Sequence, residues 1–141
     1  MKKMLKKKSK GFTLVELLIV VIIIGILAGM MMLSTGGATA KAEATKVVSD
    51  MRNMKAAAIM VYADNSEWPT AIASLDDYLD QTPASKYSID GDYLKLDATS
   101  TDQKIRDNLK TMAVTGGIPL FKSVSPDVTY DGTATMYMPI K

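Results

Sequence analysis

The 141-residue chain has no cysteine and no histidine. The first absence excludes disulfides, whatever the redox state of the surroundings, and thiol nucleophiles. The two together exclude zinc sites of the usual kinds and a histidine general base. No glycine-rich loop matches the P-loop pattern, and there are no internal repeats or low-complexity linkers. Asp90, Asp92 and Asp97, and again Asp127 and Asp131, gather beside glycine turns where carboxylates could hold Ca²⁺. Their spacing matches no EF-hand, and aspartate in a turn is ordinary turn chemistry. Lys104, Arg106 and Lys110 read as the solvated face of a helix rather than a nucleic-acid patch. No catalytic residue, metal site or cofactor is implied.

Charge is also nearly missing from one long stretch. Residues 12–33 are 22 apolar or small positions with a single charge, Glu16. At about 1.5 Å per residue a helix of that length reaches roughly 33 Å, enough to cross a bilayer core. The ten residues before Gly11 hold six lysines: Lys2, Lys3, Lys6, Lys7, Lys8 and Lys10. A basic block ahead of an apolar helix keeps the N-terminus cytoplasmic. The expected topology is a short basic leader inside, one membrane helix, and the remainder outside. The formal net charge of +2 hides this asymmetry, because the leader carries six of the 17 basic side chains and none of the 15 acidic ones. Without it, 11 basic side chains face 15 acidic ones. An acidic exported part argues against nucleic-acid binding driven by overall charge.

Glu16 is the anomaly. A carboxylate in an apolar span costs about 3 kcal/mol on insertion scales and is a functional-site hypothesis by default. No cation lies within the run to pair with it. A cut between Gly11 and Phe12 would create an α-amine one helical turn before Glu16. A second copy, shifted along the helix axis, could bring its amine to this carboxylate, neutralising both charges and fixing the register between subunits. The alternative is an acid tolerated near the interface and snorkelling to water.

The segment Lys10-Gly11-Phe12-Thr13-Leu14-Val15-Glu16-Leu17-Leu18-Ile19-Val20 resembles the processing motif of type IV pilins and the related type II secretion pseudopilins. The resemblance implies cleavage after Gly11 by a membrane-embedded prepilin peptidase and N-methylation of Phe12 by the same enzyme. It also implies a requirement for Glu16 in filament assembly. The implied parts are a leader at 1–11, removed on processing; a membrane and assembly half of the helix at 12–35; and a globular domain at 36–141. The implied partners are further copies of the chain in a helical filament, the peptidase, the pilus or secretion assembly machinery, and the cytoplasmic membrane before assembly. The expected location is the bacterial cytoplasmic membrane in a single pass, then an extracellular pilus or pseudopilus. Many pilins close a C-terminal loop with a disulfide, which this chain cannot do. No pseudopilin calcium motif is visible, which favours a pilus subunit over a subunit of a secretion or DNA-uptake pseudopilus. Two further readings compete. Ala38-Thr39-Ala40 with the preceding apolar run also spells a secretory signal peptide, but the run is long for an h-region and carries an acid. A membrane-anchored or secreted binding domain that never polymerises is the reading from another functional class.

Beyond the run, Gly25 and Gly29 have a spacing that allows close helix approach. Gly36-Gly37 is an expected weak point in the helix. Ala44, Val47, Val48, Met51, Met54, Ala58, Val61 and Tyr62 then recur at helical spacing. An unbroken helix over 12–62 would be roughly 75 Å long, ending at the turn formers Asp64-Asn65-Ser66. Thr70 is placed to cap a short helix over 71–79 with Ile72, Leu75 and Leu79 on one face. Two alternating runs around Asp90-Gly91 predict a hairpin over 86–96. Ser100-Thr101-Asp102-Gln103 reads as a capping box opening a helix to about Met112, with Ile105, Leu109 and Met112 inward. Residues 118–124 read as a strand weakened by Pro119. A last hairpin is expected, with arms 128–130 and 133–138 around Asp131-Gly132. The predicted fold class is α+β: a long N-terminal helix packed on a small antiparallel sheet, a pilin-like roll.

Overall fold

The computed structural model describes residues 11–141. The lysine-rich leader at 1–10 lies outside the described residues. Two compact units divide between Gly36 and Gly37.

Helix α1 (Leu14–Asn65) contributes to both units. Gly36 and Gly37, expected to weaken it, are both helical; glycine lowers helix propensity but leaves the backbone donors of the ladder in place. In the first unit the large apolar side chains from Phe12 to Leu33 are all exposed. This part of α1 is long and apolar enough to cross a membrane. The helix stops at Ser66, which takes a left-handed φ of 58° and donates its amide to the Tyr62 carbonyl at 2.8 Å.

The second unit, Gly37–Lys141, holds the core. Ala40, Ala44, Val47, Val48, Met51, Met54, Ala57, Ala58 and Val61 form the buried stripe of α1. Tyr62 does not belong to it: the ring is exposed and stacks on Trp68 with centroids 4.5 Å apart. Strands β1 (Tyr87–Asp90), β2 (Tyr93–Asp97) and β3 (Thr135–Pro139) make an antiparallel sheet in that order, with β2 central. Tyr87 faces Leu96, Leu94 faces Met138 and Leu96 faces Met136 across the ladders. All five side chains are buried, so one face of the sheet closes the core with the α1 stripe. The β1–β2 loop is Gly91-Asp92, one residue later than expected. Gly91 takes the positive φ that the first position of a two-residue II′ loop needs.

Helix α2 (Gln103–Val114) connects β2 to β3 and buries Ile105, Leu109 and Ala113, while Met112 packs at the margin of the core. It begins differently from the expected capping box. Asp102 is the N-cap, accepting from the Lys104 amide at 2.8 Å, and Gln103 donates instead to Asp107 at 2.9 Å. An aspartate at the cap position satisfies the orphan amide directly, so no reciprocal glutamine is needed. At the far end, a Cβ on Gly116 would stand 2.6 Å from the Met112 carbonyl oxygen.

Three further expectations are corrected. The segment after Trp68 is a 3₁₀ helix (Ile72–Tyr78), not an α-helix, and it has no side-chain cap, from Thr70 or otherwise. At three residues per turn a 3₁₀ run eclipses positions i and i+3, which puts Ile72 at the core margin above the buried Leu75. Residues 118–124 form no regular strand: Phe121 alone makes bridges, to Thr129 and to Tyr137. Pro119 and Pro126 lack the donors a continuous ladder requires. The last hairpin is not formed either, since the partner of β3 is β2.

Several contacts hold the C-terminal edge in place of a disulfide. Tyr130 is fully buried and its hydroxyl donates to the Thr133 carbonyl at 2.7 Å. Burial pushes that hydroxyl up to about 12. Lys122 meets Asp131 at 2.8 Å and holds its carboxyl below the usual range. The Ile140 amide donates to the Asp92 carbonyl at 2.8 Å, and the Lys141 ammonium pairs with the Asp92 side chain while lying 5.6 Å above the Trp68 ring.

Candidate assembly site at the start of the helix

Gly11, Phe12 and Thr13 precede the first turn of α1, and Glu16 lies within it. A Cβ on Gly11 would meet no atom within 4 Å, so packing within the chain does not demand glycine there. The Phe12 ring is 86% exposed.

The Glu16 carboxylate folds back on its own helix. Its Oε2 accepts from the Thr13 amide at 2.8 Å, and the Glu16 amide donates to Thr13 Oγ1 at 3.2 Å. This is a capping box, with two orphan amides satisfied reciprocally. An acid in the first turn also sits favourably against the positive end of the helix dipole. Thr13 is therefore a member of the site that the sequence reading passed over. The Thr-x-x-Glu spacing of a capping box is its signal in the sequence. The capping box accounts for one carboxylate oxygen and leaves the carboxylate beside the peptide unit that joins Phe12 to Thr13.

The run that follows has no polar counterpart for this acid. From Leu14 to Leu33 the large apolar side chains are between 51% and 86% exposed. A surface of that kind needs lipid or other apolar helices against it. An added Cβ at Gly25 or Gly29 would meet nothing, so any close approach these glycines serve is not made within the chain.

Residues 6–32 match the family model for the prokaryotic N-terminal methylation motif. Over 95 residues the chain is 35% identical to the type II secretion system core protein G of Aeromonas hydrophila, covering 65% of this chain and 66% of that protein. Over 97 residues it is 36% identical to the protein of the same name from Vibrio cholerae serotype O1, covering 67% and 65%. Over 62 residues it is 37% identical to a fimbrial protein of Neisseria meningitidis, covering 44% and 36%. The chain thus spans less than two thirds of the length of these relatives. Among solved structures, the major type IV pilin PilA1 of Clostridium difficile matches with a TM-score of 0.54 and 18% identity, over 74% of this chain and 98% of that one. The long helix and three-stranded antiparallel sheet are the type IV pilin fold. The chain carries the prokaryotic N-terminal methylation motif, resembles type II secretion system core protein G in sequence and has the type IV pilin fold.

The first unit exposes its apolar surface, while the second buries its own in a closed core. The relatives are structural subunits rather than enzymes. Among the described residues no group of three or more acidic side chains is gathered to hold a metal ion.

Proposed function

We propose that this chain is a structural subunit of a type IV pilus. It is cleaved after Gly11, methylated on the new amine of Phe12, and stored in the cytoplasmic membrane by the helix at 12–35. The domain at 36–141 lies outside, and an assembly machine then draws the subunit into a filament. There the exposed apolar face of α1 exchanges lipid for the helices of other copies, and the Glu16 carboxylate pairs with the Phe12 amine of a neighbour. The observation that carries this reading is the exposed apolar half of α1, headed by one acid held in place at its first turn. Mass spectrometry of the mature N-terminus tests it. The reading requires N-methyl-Phe12; an N-terminus at Met1 would indicate a simple anchor, and one at Lys41 a secreted domain.

A second reading has support of its own. The relatives named type II secretion system core protein G favour a secretion pseudopilus. Deleting the chain separates the two. A pilus subunit takes sheared surface fibres with it, as seen by electron microscopy, whereas a pseudopilin leaves secreted proteins trapped inside the cell.

A further inference from the structure

With no cysteine and no histidine in the chain, methionine is its main soft target for oxidants. Among the described methionines, Met60 is half exposed, Met112 sits at the core margin, and the rest divide sharply. Met51, Met54, Met136 and Met138 are buried in the core at 2% exposure or less, while Met30, Met31 and Met32 stand 63%, 73% and 81% exposed on α1. The three are consecutive. At about 100° per residue they point to three sides of the helix within roughly 3 Å along its axis. However the helix is rotated, at least one thioether must face a neighbouring copy when helices pack around it.

We propose that Met30, Met31 and Met32 form an oxidation-sensitive girdle that permits polymerisation only while its thioethers are reduced. The occupant of this surface is a second copy of the chain, so the inference rests on the filament reading above. The co-reactant is a peroxide. A sulfur lone pair attacks one peroxide oxygen, the O–O bond breaks and an S–O bond forms. The displaced hydroxide takes the proton from the transferred oxygen and leaves as water, and the sulfur is left as a neutral sulfoxide. The thioether is oxidised by two electrons and the peroxide is reduced. The product replaces a flexible apolar side chain with a polar one. A sulfoxide between packed helices adds an acceptor oxygen; Gly29 and Leu33 beside the girdle carry no donor side chain, and the Thr35 hydroxyl already donates to the Met31 carbonyl at 2.7 Å. The girdle lies at the outer end of the apolar run, where an oxidant from the exterior arrives first.

The test uses the full mature chain. Hydrogen peroxide is applied to the detergent-solubilised subunit and to sheared filaments, and peptide mass spectrometry locates the added oxygen. In the solubilised subunit Met30, Met31 and Met32 gain oxygen while Met51, Met54, Met136 and Met138 do not; in filaments the girdle is protected. Cells sheared of their fibres and given a peroxide pulse regrow about tenfold fewer. The variant with Met30→Leu, Met31→Leu and Met32→Leu regrows its fibres at the untreated rate, although Met60, also exposed, is still present. Equal oxidation of the girdle in subunit and filament overturns the proposal, as does peroxide-sensitive regrowth in the triple-leucine variant. In either case the filament reading survives, because untreated cells still make fibres. Absence of fibres from untreated cells overturns the filament reading and this proposal with it.

Discussion

Thr13 and Glu16 each supply the other with a hydrogen-bond partner: amide to carboxylate at 2.8 Å, and amide to hydroxyl at 3.2 Å. The acid is therefore held at the helix start before any second copy arrives, so two effects of changing it can be told apart. Glu16→Gln keeps an acceptor for the Thr13 amide and removes the charge. Glu16→Ala removes both. If charge pairing between subunits drives assembly, both variants are processed at the Gly11 cut and neither yields filaments. Normal filaments from Glu16→Gln would reduce the role of Glu16 to capping.

Thr13→Val removes the hydroxyl that accepts from the Glu16 amide while leaving the shape of the side chain nearly unchanged. Loss of such a cap costs about 1 kcal/mol, or roughly fivefold in the local opening equilibrium. Amide hydrogen exchange at Glu16 and Leu17 in detergent is expected to accelerate by about that factor, with the core of the second unit unaffected.

Two glycines give opposite expectations. At Gly116 a Cβ would approach the Met112 carbonyl oxygen to 2.6 Å, so backbone must move; at Gly37, which is helical, nothing lies within 4 Å. Gly116→Ala is expected to destabilise by about 1–3 kcal/mol. Gly37→Ala is expected to stabilise helix α1 by about 0.5–1 kcal/mol. Thermal unfolding followed by circular dichroism measures both.

Tyr130 and Asp131 make stability depend on pH at both ends of the scale. The Asp131 carboxyl is held low, chiefly by its hydrogen bond from Lys122, and Asp97 is held low by Thr99. Their contribution is complete above the unfolded carboxylate pKa and disappears as pH falls through the lower folded values. Tyr130 is pushed up to about 12 by burial. The folded state therefore holds that proton more tightly than the unfolded one. Its contribution is complete below the unfolded tyrosine pKa of about 10 and is lost as pH rises toward 12. Lys122→Met is expected to flatten the acid limb of a plot of melting temperature against pH. Tyr130→Phe is expected to flatten the alkaline limb and to lower the melting temperature near neutrality by a few degrees, for one lost hydrogen bond of about 1 kcal/mol.

The features legible in the chain were those that depend on near neighbours. The apolar run at 12–33, the stripe from Ala44 to Val61, and the hairpin at Gly91 repeat at the period of their own element, and period is written in sequence. The methylation motif could be read because its residues are adjacent. Tertiary structure decided the parts whose partners are distant. Residues 118–124 had the composition of a strand, but β3 pairs with β2, where Met136 and Met138 face Leu96 and Leu94 over the core, and only Phe121 bridges the outer edge of β3. Tyr62 kept the helical spacing of the stripe and left it for Trp68, which no periodicity counts. The 3₁₀ turn was set by the need to bury Leu75 within a short connection. The C-terminal edge was fastened by contacts such as Lys141 with Asp92, far apart along the chain. Sequence by itself determined which surfaces had to be hidden; only the folded chain decided which of them hide each other, because that choice depends on the distances between elements and not on the order of residues within them.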